Sequence, residues 1–315
     1  MGDLREGIDP LWDLLLVGWD RTLEAMGRSV RTRTIYHDAG MAMVTWLTGL
    51  DDPPGEPCEI TKAQVETFLI WFGSTPTPRC PDGRGDAYTN QTFRALQQWF
   101  AWLLDEGEIE HSPMERMKPP QVAGKLVPLV AVDQVKALLA VCTGKGLIDR
   151  RDAAIIRVLA DTGGRRGEVA KLTVEDVDLG RKLIYVTGKG GRPRQVAIGT
   201  NTTLAISRYL RVRAKEKQAG RPELWLAEKG RGALGADGLR QMLDRRAARA
   251  GIGKIHPHMF RHTLADAWLD AGGDEQGLAD HMGWSTTQMV ARYGAIGRAR
   301  RAQNTHGRLG LGDRF

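Results

Sequence analysis

The chain has 315 residues, 42% hydrophobic and 26% charged, which suits one or two soluble globular domains with real cores. Cys58, Cys80 and Cys142 are scattered, odd in number and never in a Cys-x-x-Cys pair, which argues against disulfides or a zinc site and for a reducing cytoplasm. The formal charge of +7 is uneven: residues 1–118 carry 11 Lys and Arg against 19 Asp and Glu, whereas residues 119–315 carry 34 against 19, a balance that suits a polyanionic partner.

Residues 11–19 are the most apolar run near the start, but Asp13 interrupts it and it falls far short of the ~20 residues of a membrane span. Acidic residues crowd the first ten positions, against a signal peptide. Apolar residues recur at helical spacing through 30–47, 65–72 and 93–104, with Thr61 and Thr89 expected as helix N-caps. Trp99, Phe100 and Trp102 read as packing residues rather than base-stacking ones. Pro53-Pro54 and residues 74–81 are loop signals, and residues 118–125, with Pro119 and Pro120, read as an extended linker. If this acidic part touches a polyanion, the contacts come from local basic clusters, Arg28, Arg31 and Arg33 and then Arg84 and Arg94.

The second part predicts helices from about 133, over 150–160, 203–217, 236–250, 259–271 and 274–281, and a last one carrying Tyr293. Residues 182–187 and 194–198 are β-rich and flank a Gly/Pro turn, which reads as a hairpin. The expected class is mainly α with a small β-sheet in the second domain. The expected boundaries are 1–118, a linker over 119–128, and 129–315.

The chemistry-bearing residues come in short segments. Thr162-Gly163-Gly164-Arg165-Arg166-Gly167-Glu168, His258-Met259-Phe260-Arg261-His262 and Trp284 with Tyr293 supply two arginines, a histidine, an indole and a phenol to one phosphodiester. Arginine grips phosphate oxygens by paired hydrogen bonds without losing its charge, and a tyrosine hydroxyl can attack phosphorus. Arg166 reads as a surface residue; Glu168 either orients a guanidinium or His258 or forms an ordinary helix ion pair. Lys189 sits in the glycine-rich turn Gly188-Lys189-Gly190-Gly191-Arg192-Pro193-Arg194, between two strands rather than ahead of a helix, so a nucleotide loop is rejected. His258 and His262 stand four apart, as a metal pair would, but Met259 fills the place of the glutamate in His-Glu-x-x-His, so no metal is expected. His262 reads instead as an internal residue supporting its helix.

In these residues the chain resembles the tyrosine recombinases, or phage-type integrases. Arg165 matches the family's Thr-Gly-x-Arg, Glu168 its acidic position three residues on, Lys189 its hairpin lysine, and His258 and Arg261 its His-x-x-Arg. Trp284, 23 positions after Arg261, takes the place of a histidine or tryptophan, which His281 is three residues too early to fill; Tyr293, nine further on, takes that of the nucleophile. The likeness covers roughly residues 27–307, and six motifs in order are a specific signal. It implies a helical core-binding domain and a mainly helical catalytic domain closing as a clamp on double-stranded DNA core sites. Tyr293 would form a 3′-phosphotyrosyl bond and release a 5′-hydroxyl, with Arg165 and Arg261 neutralising the phosphate, Lys189 as general acid, His258 relaying a proton and Trp284 donating its indole N–H. Arg28, Arg31, Arg33, Arg84, Arg94, Arg192 and Arg194 are the candidate DNA-backbone contacts.

No cofactor, metal or membrane is implied. The expected assembly is a tetramer on two sites, with accessory DNA-bending or directionality factors as optional partners, in a bacterial or phage-encoded cytoplasmic setting. Only ~25 residues precede the core-binding part, too few for a separate arm-binding domain. The last residues, 294–315, are sparse in apolar side chains and by the same resemblance bridge neighbouring protomers. The rivals are a type IB topoisomerase and a DNA-binding regulator without strand exchange.

Overall fold

The structure, a computed structural model, describes residues 9–78, 80–122, 127–188, 191, 193–286, 288–294, 297–310 and 313. The chain divides into two compact units, Met1–Lys125 and Leu126–Phe315.

The first unit is helical among its described residues: α1 (Pro10–Ala25), α2 (Val30–Leu47), α3 (Lys62–Ser74) and α4 (Gly85–Asp105). The apolar run near the start belongs to this bundle. Pro10 occupies the first turn of α1, Asp9 accepts from Leu11 N–H, and Trp12, Leu15, Leu16, Trp19 and Leu23 are buried at helical spacing. They pack with Val44, Phe68, Trp99 and Phe100 in one core. Gly40 lets α2 approach, since a Cβ there would stand 2.6 Å from Leu16. Thr61 caps α3 in a reciprocal pair with Gln64, as expected. Thr89 does not cap α4: the helix begins a turn earlier, and the buried Thr89 hydroxyl donates to Gly85 O inside it. Trp99 and Phe100 are core residues, and the Trp102 indole N–H donates to Thr22.

The second unit runs α5 (Val132–Ala140), α6 (Leu147–Thr162), α7 (Arg166–Lys171), β1 (Val177–Asp178), β2 (Leu183–Thr187), β3 (Pro193–Ala197), α8 (Thr200–Arg213), α9 (Ala236–Arg249), α10 (Pro257–Asp270), α11 (Glu275–Met282), α12 (Gln288–Tyr293) and α13 (Arg298–Leu309). The three strands form an antiparallel sheet in the order β1-β2-β3, with Ile184 opposite Val196 and Val186 opposite Arg194. This is the mainly α class with one small sheet. Helix α8 starts and stops earlier than its periodicity predicts. Arg213 ends it by turning its guanidinium onto the carbonyls of Ala219, Arg221, Glu223 and Leu224, which draws the chain into a loop.

The main core of this unit gathers Ile155, Leu159, Ile184, Val196, Ile206, Trp225, Leu243 and Phe260. One buried group of charges is matched: Asp152 accepts from both Arg151 and Arg246, whose spare N–H groups reach Leu226 O and Val141 O. A second, smaller core holds Ala265, Leu278, Ala279, Met282, Trp284, Val290 and Tyr293, so α10, α11 and α12 close around two of the candidate site residues. Among the described residues no helix is long and apolar enough to cross a membrane.

Candidate active site

Arg165 owes its position to the end of α6. Gly163 adopts the left-handed conformation (φ 56°) that stops the helix, packed so closely that a Cβ would stand 3.0 Å from Leu264 and 3.1 Å from Met282. The chain then turns to place Arg165 as the N-cap of α7. Glu168, in the first turn of that helix, accepts the Arg165 backbone N–H at 3.1 Å and its guanidinium at 2.7 Å. The second partner of Glu168 is Arg194 of β3, at 2.7 Å. Burial disfavours the Glu168 carboxylate, yet the hydrogen bonds from Arg194 and Arg165 outweigh it and hold its pKa below the usual glutamate value. Glu168 is thus a bridge between two arginines rather than a plain helix ion pair.

Arg261 enters from α10 and is 1% exposed. Its terminal nitrogens donate to Gly163 O at 2.9 Å and Met282 O at 2.7 Å, while its Nε is buried with no hydrogen-bond partner among the described residues. The guanidinium carbon lies 5.1 Å from the Trp284 ring centroid and 5.7 Å from that of Tyr293. Burial, with the nearby Arg165 charge, brings its pKa down to about 10. It remains a cation at neutral pH, held where an arriving anion would relieve that cost.

The Tyr293 hydroxyl shares a hydrogen bond with His258 Nε2 at 3.3 Å. The phenol is 7% exposed, its ring centroid 4.2 Å from that of His262 and 4.8 Å from that of Trp284. The Trp284 indole N–H is buried with no partner among the described residues. His262 is buried one turn beyond His258. The His281 ring lies against Trp268, and burial lowers its pKa, with the Arg194 and Arg261 charges acting in the same direction.

A cleft of about 420 Å³ opens here, lined by Arg165, Arg166, Arg240, His256, His258 and Arg261 among others. Arg166 pairs with Asp237 at 3.0 Å and Arg240 with Asp244 at 2.9 Å. Sequence reasoning passed over Arg240 and His256. His256-Pro257 directly precedes the His-x-x-Arg motif and was a readable signal; Arg240, on a separate helix, had none.

The fold therefore brings together Arg165, Glu168, His258, Arg261, Trp284 and Tyr293. Lys189 and Arg192 lie outside the described residues. Of the candidate DNA contacts, Arg28, Arg31 and Arg94 are exposed. Arg33 is engaged with Asp20 and Glu24, and Arg84 donates to Phe72 O and stacks over its ring. Arg194 is turned inward, because its guanidinium serves Glu168 and His281 O.

The sequence model of the Phage integrase family matches residues 129–299. Tyrosine recombinase XerC of Xanthomonas campestris pv. campestris (strain B100) is 32% identical over 267 residues, 83% of this chain and 78% of that protein. XerC of Chromobacterium violaceum is 34% identical over 203 residues, 64% of this chain and 66% of that protein. Two solved structures share the fold: the XerH site-specific recombinase bound to palindromic difH substrate (TM-score 0.69, 17% identity, 90% of this chain and 81% of that one) and a lambda integrase dimer bound to a COC′ core site (TM-score 0.68, 15% identity, 90% and 76%).

Proposed function

The chain belongs to the phage integrase family, the tyrosine recombinases, which cleave and rejoin DNA in site-specific recombination, and from that premise we propose that Tyr293 is its nucleophile. The Tyr293 oxygen attacks the scissile phosphorus as its proton passes towards His258 Nε2. The bond from phosphorus to the 5′-oxygen breaks, and Lys189 protonates the leaving oxygen. The 3′-phosphotyrosyl ester conserves the energy of the broken bond, so a 5′-hydroxyl from another strand can reverse the step without ATP. Arg165, Arg261 and the Trp284 indole N–H take the non-bridging oxygens as charge builds on them; losing one such donor typically costs ~10²–10³ in rate. Glu168 orients Arg165. The observation that carries this reading is the Tyr293–His258 contact beside a buried guanidinium that has no carboxylate ion-pair partner among the described residues.

The substrate is double-stranded DNA at core sites. Exchange between two duplexes requires four strand cuts, hence a tetramer of protomers each using one Tyr293, with accessory factors as optional additions. Such a substrate puts the enzyme in the bacterial cytoplasm, where its free cysteines belong. The first unit is the core-binding domain, with Arg28, Arg31 and Arg94 on the DNA backbone.

The test is to incubate the protein with fragmented genomic DNA of its host, denature, and sequence the DNA that remains attached to protein. Wild type should trap one defined site, and Tyr293→Phe should trap none while still shifting that site in a gel. Adduct formation by the Phe variant would overturn the assignment. On a supercoiled plasmid carrying two copies of the trapped site, relaxed circles without recombinants would turn the reading to a topoisomerase.

A further inference from the structure

His258, His262, Asp266 and Asp270 stand four apart along α10 and so share one face of it. The first two meet the side chain of Tyr293: His258 shares a hydrogen bond with its hydroxyl, and the His262 ring packs on the phenol. The other two reach the chain just past Tyr293, through arginines of α13. Asp266 is only 4% exposed. Its Oδ1 accepts from Arg301 at 2.7 Å and its Oδ2 from Arg300 at 3.1 Å, and Asp270 accepts from the same two guanidinium groups.

Arg301 turns its other terminal nitrogen to the carbonyl of Gly294, the residue after Tyr293. Arg298 donates to Ala291 O at 3.0 Å. Carbonyls at the end of a six-residue helix lack partners within it, and these two arginines supply them. The backbone there is closely held, since a Cβ on Gly294 would stand 2.6 Å from Leu269 of α10 and 3.0 Å from Nη2 of Arg301. A carboxylate as dry as that of Asp266 requires a cationic partner. It therefore fixes one side of the Arg301 fork, and the planar guanidinium carries that fix to Gly294 O. The backbone after Tyr293 is thus registered against the same helix that meets its hydroxyl.

We infer that Asp266 is a positioning residue for the nucleophile: through Arg301 it holds the end of α12 against α10, so that the Tyr293 oxygen stands at His258. This rests on the recombinase reading above. Asp266 acts through Arg301 and the backbone, and not through DNA affinity or phosphate neutralisation. A nucleophile that must meet one phosphorus loses rate steeply when its position wanders.

The test pairs a spectrum with a rate. Full-length protein labelled with ring-¹³C tyrosine contains five tyrosines, and the signal missing from Tyr293→Phe is that of Tyr293. With the His262 and Trp284 rings packed on it, its shift reports where the phenol sits. Asp266→Ala should move this signal and leave the other four in place. In a single turnover at saturating protein it should form the covalent adduct with the trapped site ~10-fold or more slowly than wild type, with site affinity within a few-fold. Arg301→Ala should do the same, and the double variant should be no slower than the slower single one, because both cut one chain of contacts. Arg308→Ala, exposed on the same helix, should leave both readouts as in wild type. If Asp266→Ala does not fold, Arg301→Ala, at a side chain already 19% exposed, carries the test alone. An unmoved Tyr293 signal, displacement of all five signals, a wild-type adduct rate, or weakened binding as the main effect would each overturn the role. Failure of wild type itself to form an adduct would instead overturn the recombinase reading, while the spectrum would still decide whether Asp266 places the phenol.

Discussion

Arg261 shows how a single side chain combines fold and chemistry. It holds the end of α6 to the end of α11 through two carbonyls, and it carries a positive charge into a nearly dry setting. Lysine there would keep the charge and lose the fork. Arg165→Ala and Arg261→Ala should each slow covalent adduct formation by ~10²-fold or more while changing site affinity little, because their contacts strengthen as charge develops in the transition state. Arg166→Ala should stay within a few-fold of wild type, since its guanidinium is 40% exposed and paired with Asp237. Single-turnover cleavage across the three variants checks this, and equal damage from Arg166 would shift the register of the motif. Glu168 adds a pH test. Its folded pKa lies below the unfolded one, so its stabilising contribution is present above the usual carboxylate range and is lost as pH falls through the folded value. Glu168→Gln should therefore lower the urea midpoint at neutral pH, and the gap to wild type should narrow in acid.

At the scale of elements, two pieces that carry candidate catalytic residues at their ends are among the shortest. Helices α7 and α12 have six residues each, too few to persist alone. Tertiary contacts hold them: Glu168 with Arg194 for α7, and the small core around Trp284 and Tyr293 for α12. Gly163→Ala tests this dependence. A left-handed alanine costs ~1–2 kcal/mol, and its Cβ would press on Leu264 and Met282, the latter on α11. Urea unfolding should register a loss of at least that size, and cleavage should fall even at temperatures where the variant remains folded, because Arg165 and the carbonyl that anchors Arg261 both shift.

On the scale of the molecule, each unit has a core of its own. Cutting the chain at residue 123 should yield a carboxyl-terminal fragment with a cooperative unfolding transition and weakened DNA binding. A fragment binding as tightly as the whole would show that the acidic unit contributes no grip. The tail matters at this scale as well. Helix α13 buries no residue and is tied to α10 within one chain by Arg300 and Arg301 on Asp266 and Asp270. Deletion from Gly297 onward should keep binding of one protomer to a half-site and lose cooperative assembly and recombination; recombination at the full-length rate would exclude the bridge.

Much of the site was legible in the sequence because its residues lie at short, fixed offsets. His258, Arg261 and His262 share one helix, Glu168 follows Arg165 by one turn, and Trp284 and Tyr293 flank one short segment. The helices of the first unit were legible from apolar period, though α4 was not bounded correctly, because Thr89 reads as a cap until Gly85 O is seen to accept its hydroxyl. Local spacing could not tell which arginines face a ligand and which face the protein. Arg33, Arg84 and Arg194 find partners at sequence separations of 13, 12 and 26, and Arg240 joins the cleft from a helix with no motif at all. A guanidinium reaches whatever acceptor packing brings near it, so its role is decided only once the distant elements have met.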